Sequence, residues 1–135
     1  MASETIKEIL KKCPLFAKLD DNRVDLLIHN GEIKQFVGGD TIYTKGQKSA
    51  GTFCMILSGR VGVLADSGQV VRGMGTGEVI GEIGVTSPHS KRTASVVTIG
   101  PTEVIEWKFN RIEKLVPDLK KKLKDSAWKK ISYYY

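Results

Sequence analysis

Between residues 32 and 109 the chain is a succession of short β-branched and aromatic runs cut by glycine. The runs are Ile33–Val37, Thr41–Tyr43, Thr52–Leu57, Arg60–Leu64, Val70–Gly73, Val79–Gly81, Thr93–Thr98 and Glu103–Phe109. Short strands recurring about every 8–12 residues, with turn signals between them, predict a sandwich or barrel rather than an α/β fold. Thirteen of the fourteen glycines fall between residues 31 and 84, where tight turns call for backbone that other residues avoid. Outside this stretch the period changes to that of a helix. Ile6, Ile9 and Leu10 follow a start that Ser3, Glu4 and Thr5 can cap. After Pro14 and Leu15-Phe16, a second helix is expected over about 21–30, capped by Asp20 or Asp21 and stopped by Asn30-Gly31. Ile112, Leu115 and Val116 predict a short helix, and Pro117 is expected to begin another along Leu119, Leu123, Ala127 and Ile131. The expected fold is mainly β: an eight-stranded, jelly-roll-like β-roll over 32–109 with helices before it (1–31) and after it (110–135). All 135 residues are read as one domain.

Charge is distributed unevenly. The net charge is +6, yet residues 1–107 carry 12 basic and 12 acidic side chains. The excess lies in residues 108–135, with 9 basic and 3 acidic. A neutral body with a basic end argues against a uniformly basic nucleic-acid coat. The apolar runs are far shorter than the roughly 18–20 residues that span a bilayer, and no secretory leader is visible after Met1. Cys13 and Cys54 are read as reduced thiols, which suits a cytoplasmic protein. His29 and His89, with no CxxC, supply no metal set, so a metal-dependent enzyme on a similar roll is not expected. There is no Gly-x-Ser-x-Gly elbow or Walker loop either.

One constellation carries chemistry. Glu82 stands between Gly81 and Gly84, which let a ligand approach the backbone, and Arg92 follows ten residues later at the mouth of the next strand. The connection between them is long enough for a helical turn whose N–H groups favour an anion. A carboxylate accepts hydrogen bonds from vicinal hydroxyls, while a guanidinium forks onto phosphate oxygens. Together they suit a small molecule with a sugar hydroxyl and one phosphate. Taken singly, a Gly-Glu dipeptide or the Lys91-Arg92 pair is ordinary surface chemistry.

The series Gly81-Glu82-Ile83-Gly84-Val85, then Arg92-Thr93-Ala94-Ser95-Val96, resembles the phosphate-binding cassette of the cyclic-nucleotide-binding domain family. The ten-residue spacing looks like its catabolite activator branch, the kinase regulatory subunits using nine. At nine residues this chain has Lys91, and the Thr-Ala-Ser-Val that follows fixes the register on Arg92. Further segments are similar to the family's: Pro14-Leu15-Phe16 with Leu26-Leu27, Gly38-Gly39-Asp40-Thr41-Ile42 with Lys45-Gly46, and Met55–Val63. The insert Thr86–Lys91 departs from the pattern with Pro88 and two extra polar residues.

The resemblance implies a sensor or regulatory domain, not an enzyme, whose ligand is cAMP or cGMP and which uses no metal. Glu82 would accept from the ribose 2′-OH and Arg92 would bind the cyclic phosphate. Gly81, Ile83 and Thr93 would complete the anion site, and Val63 and Val71 would line the base pocket. Thr93 leaves the choice of base open, since family members of either preference carry a hydroxyl residue there. The final helix would move on binding, with Trp128 the first candidate to cap the base and Tyr133–Tyr135 weaker ones; an indole buried against the roll is the rival explanation. An effector domain or partner is expected outside this chain, and no element here is expected to read DNA.

The alternative is a roll that has lost its nucleotide and works as an interaction module. It would offer an acidic partner the basic helix bearing Lys120–Lys122, Lys124, Lys129 and Lys130. That face is equally what a solvated helix presents, and lysines near a helix end suit its dipole.

Overall fold

The computed structural model describes residues 2–82 and 91–134, with side chains described as far as Ser126. Ser3–Lys12 form α1, which buries Ile6 and Leu10 on one face and carries Glu4 in its first turn and Lys11 and Lys12 in its last. Its N-cap is Ala2 in extended backbone, so Ser3 lies inside the first turn and does not cap. Asp21–His29 form α2, and there the cap is as expected: Asp20 Oδ1 accepts from the Arg23 N–H at 2.9 Å. Lys7 pairs with Asp21 and Asp25, and Lys11 with Asp21, across the two helices.

Among the described residues eight strands follow: β1 (Glu32–Phe36), β2 (Thr41–Tyr43), β3 (Thr52–Ser58), β4 (Val61–Leu64), β5 (Val70–Met74), β6 (Val79–Ile80), β7 (Ser95–Thr98) and β8 (Thr102–Lys108). Their bounds fall within two residues of the sequence expectation. They make two four-stranded antiparallel sheets, in the orders β1-β8-β3-β6 and β2-β7-β4-β5. Phe109–Ile112 form α3 and Leu119–Tyr134 form α4. Pro117 does not open α4: Asp118, at φ +58°, turns the chain first, and Leu119 begins the helix.

Side-chain alternation splits β3 between two cores. Phe53, Met55 and Leu57 point outward to a cluster with Ile6, Leu10, Phe16 and Leu27 from the N-terminal helices and Ile112, Val116, Leu119 and Leu123 from the C-terminal segment. Cys54 and Ile56 point inward, to Tyr43, Val61, Val63, Met74, Ile80, Val96 and Val104. A strand covered on both faces reads as an unbroken apolar run, here Phe53–Leu57. Trp107 anchors α2 to the outer face: its Nε1 donates to the Leu27 carbonyl at 2.8 Å, and Phe16 meets its ring edge-on at 5.3 Å. The chain must pass close above it. A Cβ at Gly31 would lie 2.5 Å from Ile105 Cδ1 and 2.9 Å from Trp107 Nε1. Among the described residues no helix is long and apolar enough to cross a membrane.

Candidate functional site

At the end of β6 the chain turns through Gly81, at φ +86°, a conformation that costs other residues about 1–2 kcal/mol. Glu82 follows and is 1% exposed. The chain re-enters the described structure at Lys91, which bridges Lys48, and Arg92 is then held at both ends of its backbone unit. Its N–H donates to the Gln47 carbonyl at 2.7 Å and its own carbonyl accepts from the Gly46 N–H at 2.8 Å. The bridging to the 46–48 turn keeps residues 91–94 out of β7, which therefore starts two residues later than expected.

The Arg92 side chain turns into the roll and is 5% exposed. Nη1 donates to the carbonyls of Thr52 (2.9 Å) and Gly81 (3.0 Å). Nη2 donates to the Ser49 carbonyl (2.8 Å) and to Thr52 Oγ1 (2.9 Å). Two successive residues with positive φ, Ala50 at 55° and Gly51 at 71°, bend the chain so that the carbonyls of 49 and 52 converge on one guanidinium. The cation also lies 3.7 Å from the centroid of the Tyr43 ring. Gly81 is pressed against this stack, since a Cβ there would lie 2.8 Å from Arg92 Nη1 and 2.9 Å from the Tyr43 ring. Its missing side chain thus admits the stack as well as the turn. Among the described residues no carboxylate comes within ion-pair distance of Arg92.

Behind the ring runs a polar string. Tyr43 Oη lies 3.0 Å from Cys54 Sγ, which lies 3.6 Å from Glu106 Oε2. Glu106 Oε1 accepts from Lys34 Nζ at 3.0 Å. Burial pushes the Tyr43 hydroxyl well above its usual range, and pushes the Cys54 thiol up to about 12 despite the Tyr43 hydrogen bond. Both are neutral at physiological pH. The hydrogen bond to Glu106 raises the Lys34 ammonium, keeping that cation charged at the far end of the string.

The expected site residues are only partly brought together. Glu82 and Arg92 are both buried next to Gly81. Val63, 7% exposed, joins the inner cluster with Tyr43 and Val96. Thr93 is exposed. Val71 is 50% exposed and outside that cluster. The reason is a register shift: Val63 opposes Arg72 while Leu64 opposes Val70, which leaves Val71 as the extra residue of a bulge. Ile83 and the 83–90 insert lie outside the described residues, as does the Trp128 side chain. Sequence reasoning missed Tyr43, Ser49 and Thr52. Thr52 is in phase with inward-facing Cys54 and Ile56, the one pattern that could have pointed to it.

A separate cleft of about 410 Å³ runs between α4 and the β5–β6 turn, lined by Leu15, Glu78, Val79, Lys122 and Asp125 among others. Among the described residues, none of those expected at the site lines it. Among the described residues no three His, Cys, Asp or Glu side chains gather as a metal set.

The sequence model of one family, the cyclic nucleotide-binding domain, matches residues 33–118. None of the curated proteins matches the sequence. Among solved structures, the regulatory domain of Toxoplasma gondii protein kinase A, crystallised with cAMP, superposes with TM-score 0.77 at 22% identity, over 89% of this chain and 46% of that one. The regulatory subunit of a cAMP-independent protein kinase A from Trypanosoma brucei gives TM-score 0.80 at 23% identity, over 93% and 46%. A cyclic nucleotide-binding protein described from Geobacter metallireducens gives 0.73 at 19%, over 100% and 99%. The chain thus spans under half the length of the kinase regulatory structures it resembles, and the likeness to all three is one of fold.

Proposed function

The chain belongs to the cyclic nucleotide-binding domain family, and we propose that it is a regulatory module whose ligand is a cyclic mononucleotide, cAMP or cGMP. The observation that carries this reading is the Arg92 guanidinium, a cation 5% exposed among carbonyls, a hydroxyl and an aromatic face. A buried charge is costly unless it is paired, and neutral dipoles around it leave its full charge for an incoming anion. A cyclic phosphate supplies that anion and suits the planar donor fork of arginine. In this reading some guanidinium N–H groups exchange carbonyl acceptors for phosphate oxygens. Glu82 accepts from the ribose 2′-OH, and the backbone at Gly81, Ile83 and Thr93 completes the anion site. Val63 faces the base from the inner cluster, while Val71 has to approach it from the bulge.

A ligand of about 22 heavy atoms, at roughly 0.3 kcal/mol per atom, gains about 7 kcal/mol, a dissociation constant near ten micromolar. Regulation requires the ligand to prefer one placement of the C-terminal helices over another. We assign α4 that part, with Trp128 capping the base and the output falling on an effector outside this chain. The role is one of binding rather than catalysis, in the cytoplasm. Thermal melting with cAMP, cGMP and 5′-AMP tests it. At about a hundredfold excess over Kd, a cyclic nucleotide stabilises by roughly 2.7 kcal/mol, raising Tm by about 10 °C. No shift with either cyclic nucleotide contradicts the reading and returns the fold to the role of an interaction scaffold.

A further inference from the structure

We propose that Tyr43 is a positioning residue for the anion site: its ring holds the Arg92 guanidinium in place without neutralising it. The inference rests on the cyclic-nucleotide reading above. A buried arginine is usually fixed by a carboxylate, which pins the side chain and cancels its charge. At Arg92 the face of an aromatic ring 3.7 Å away occupies that role. A ring quadrupole attracts a cation, more strongly when water is excluded, yet carries no net charge. Arg92 can therefore be ordered in advance and still present a full positive charge to a phosphate.

Three further observations bear on the ring. Tyr43 is 6% exposed, so the contact is desolvated. Its hydroxyl is tied to Cys54 Sγ at 3.0 Å, which sets the plane of the ring. On the other side Gly81 leaves no room for a Cβ against either partner, so ring and guanidinium are clamped between backbone and inner core. Before the ligand arrives the carbonyls of Ser49, Thr52 and Gly81 fix the rotation of the guanidinium within its plane, and the ring keeps it stacked while some of those bonds pass to phosphate oxygens. Preorganisation of this kind strengthens binding by removing the ordering cost at the moment of encounter.

The test replaces Tyr43 by phenylalanine and by mono-, di- and trifluorinated phenylalanine, which keep the ring's shape while draining its electron density. Tyr43→Phe, which retains the stack without the hydroxyl, is the reference for the fluorinated series. Across the fluorinated series affinity for the cyclic nucleotide should fall steadily, by roughly tenfold in all. Adenosine, which has no phosphate, should bind each variant equally. A flat series, or a loss that adenosine shares, overturns the assignment, because a ring that only fills space is indifferent to fluorine. If wild type binds neither cyclic nucleotide, the functional reading fails on its own, and the ring contact is judged without ligand. The Arg92 Nε proton resonance, assigned by its disappearance in Arg92→Lys, should then stand upfield of the other arginines under the Tyr43 ring current. A resonance among the others would overturn the stack itself.

Discussion

The two faces of the β1-β8-β3-β6 sheet are covered by different chemistry, although the same strands supply both. On the outer face Phe53, Met55, Leu57, Ile105 and Trp107 meet apolar residues of the helices, and the indole N–H finds the Leu27 carbonyl. On the inner face Cys54 and Glu106 share the roll with Tyr43 and Arg92, linked as far as Lys34. Alternation along a strand makes this division possible, since neighbouring residues enter unrelated environments. The outer face is built to hold helices on; the inner face holds a charge in. The comparison makes separable predictions: outer substitutions should cost stability, and inner ones should change what the molecule binds.

The largest effect is expected outside. Trp107→Ala removes the side chain on which Phe16, Phe53 and α2 converge, and should cost about 3–5 kcal/mol in a denaturant melt. The protein that remains folded should bind cyclic nucleotide as before; a matching loss of affinity would erase the division between the faces. Gly81→Ala comes next and should show in both readouts. The added Cβ meets Arg92 and Tyr43 in a left-handed backbone, at about 2–4 kcal/mol, and displaces the guanidinium. Full affinity in that variant would mean the stack is not part of the site.

The smallest effect concerns the thiol. With Cys54 pushed up to about 12 from a usual 9.0, the folded state keeps its proton where the unfolded chain has lost it. Its contribution to stability is therefore intact below pH 9 and declines as pH rises from about 9 towards 12. At pH 8 a thiol reagent should leave native Cys54 unlabelled. Rapid labelling under native conditions would show that the inner face is open to water.

Much of the roll was legible because glycine and β-branched residues mark strand ends locally, whatever the tertiary context. Helix starts were less so. Ser3 has a capping side chain but Ala2 is the last extended residue, and Asp118 takes the turn that Pro117 was expected to make into a helix. Glu82 and Arg92 are legible as candidates because their chemistry lies in side-chain identity and spacing, and the structure buries both. The cradle around Arg92 could not, since it consists of the carbonyls of Ser49, Thr52 and Gly81, which every residue possesses. Val71 escaped for a related reason: a bulge shifts parity, and nothing in Val70-Val71 announces one. Net charge is a poor guide too, because the excess sits at the C-terminal end while the proposed anion site is built around Arg92, buried in a neutral body.

The central claim is that Arg92, buried with no carboxylate partner among the described residues, keeps its charge for a cyclic phosphate. Calorimetric titration of cAMP and cGMP into wild type and Arg92→Ala tests it most directly. Wild type should bind at least one of them, and the variant should remain folded yet bind at least about thirtyfold more weakly, the consequence of leaving a buried phosphate unpaired. Equal affinity in the two proteins would contradict the account.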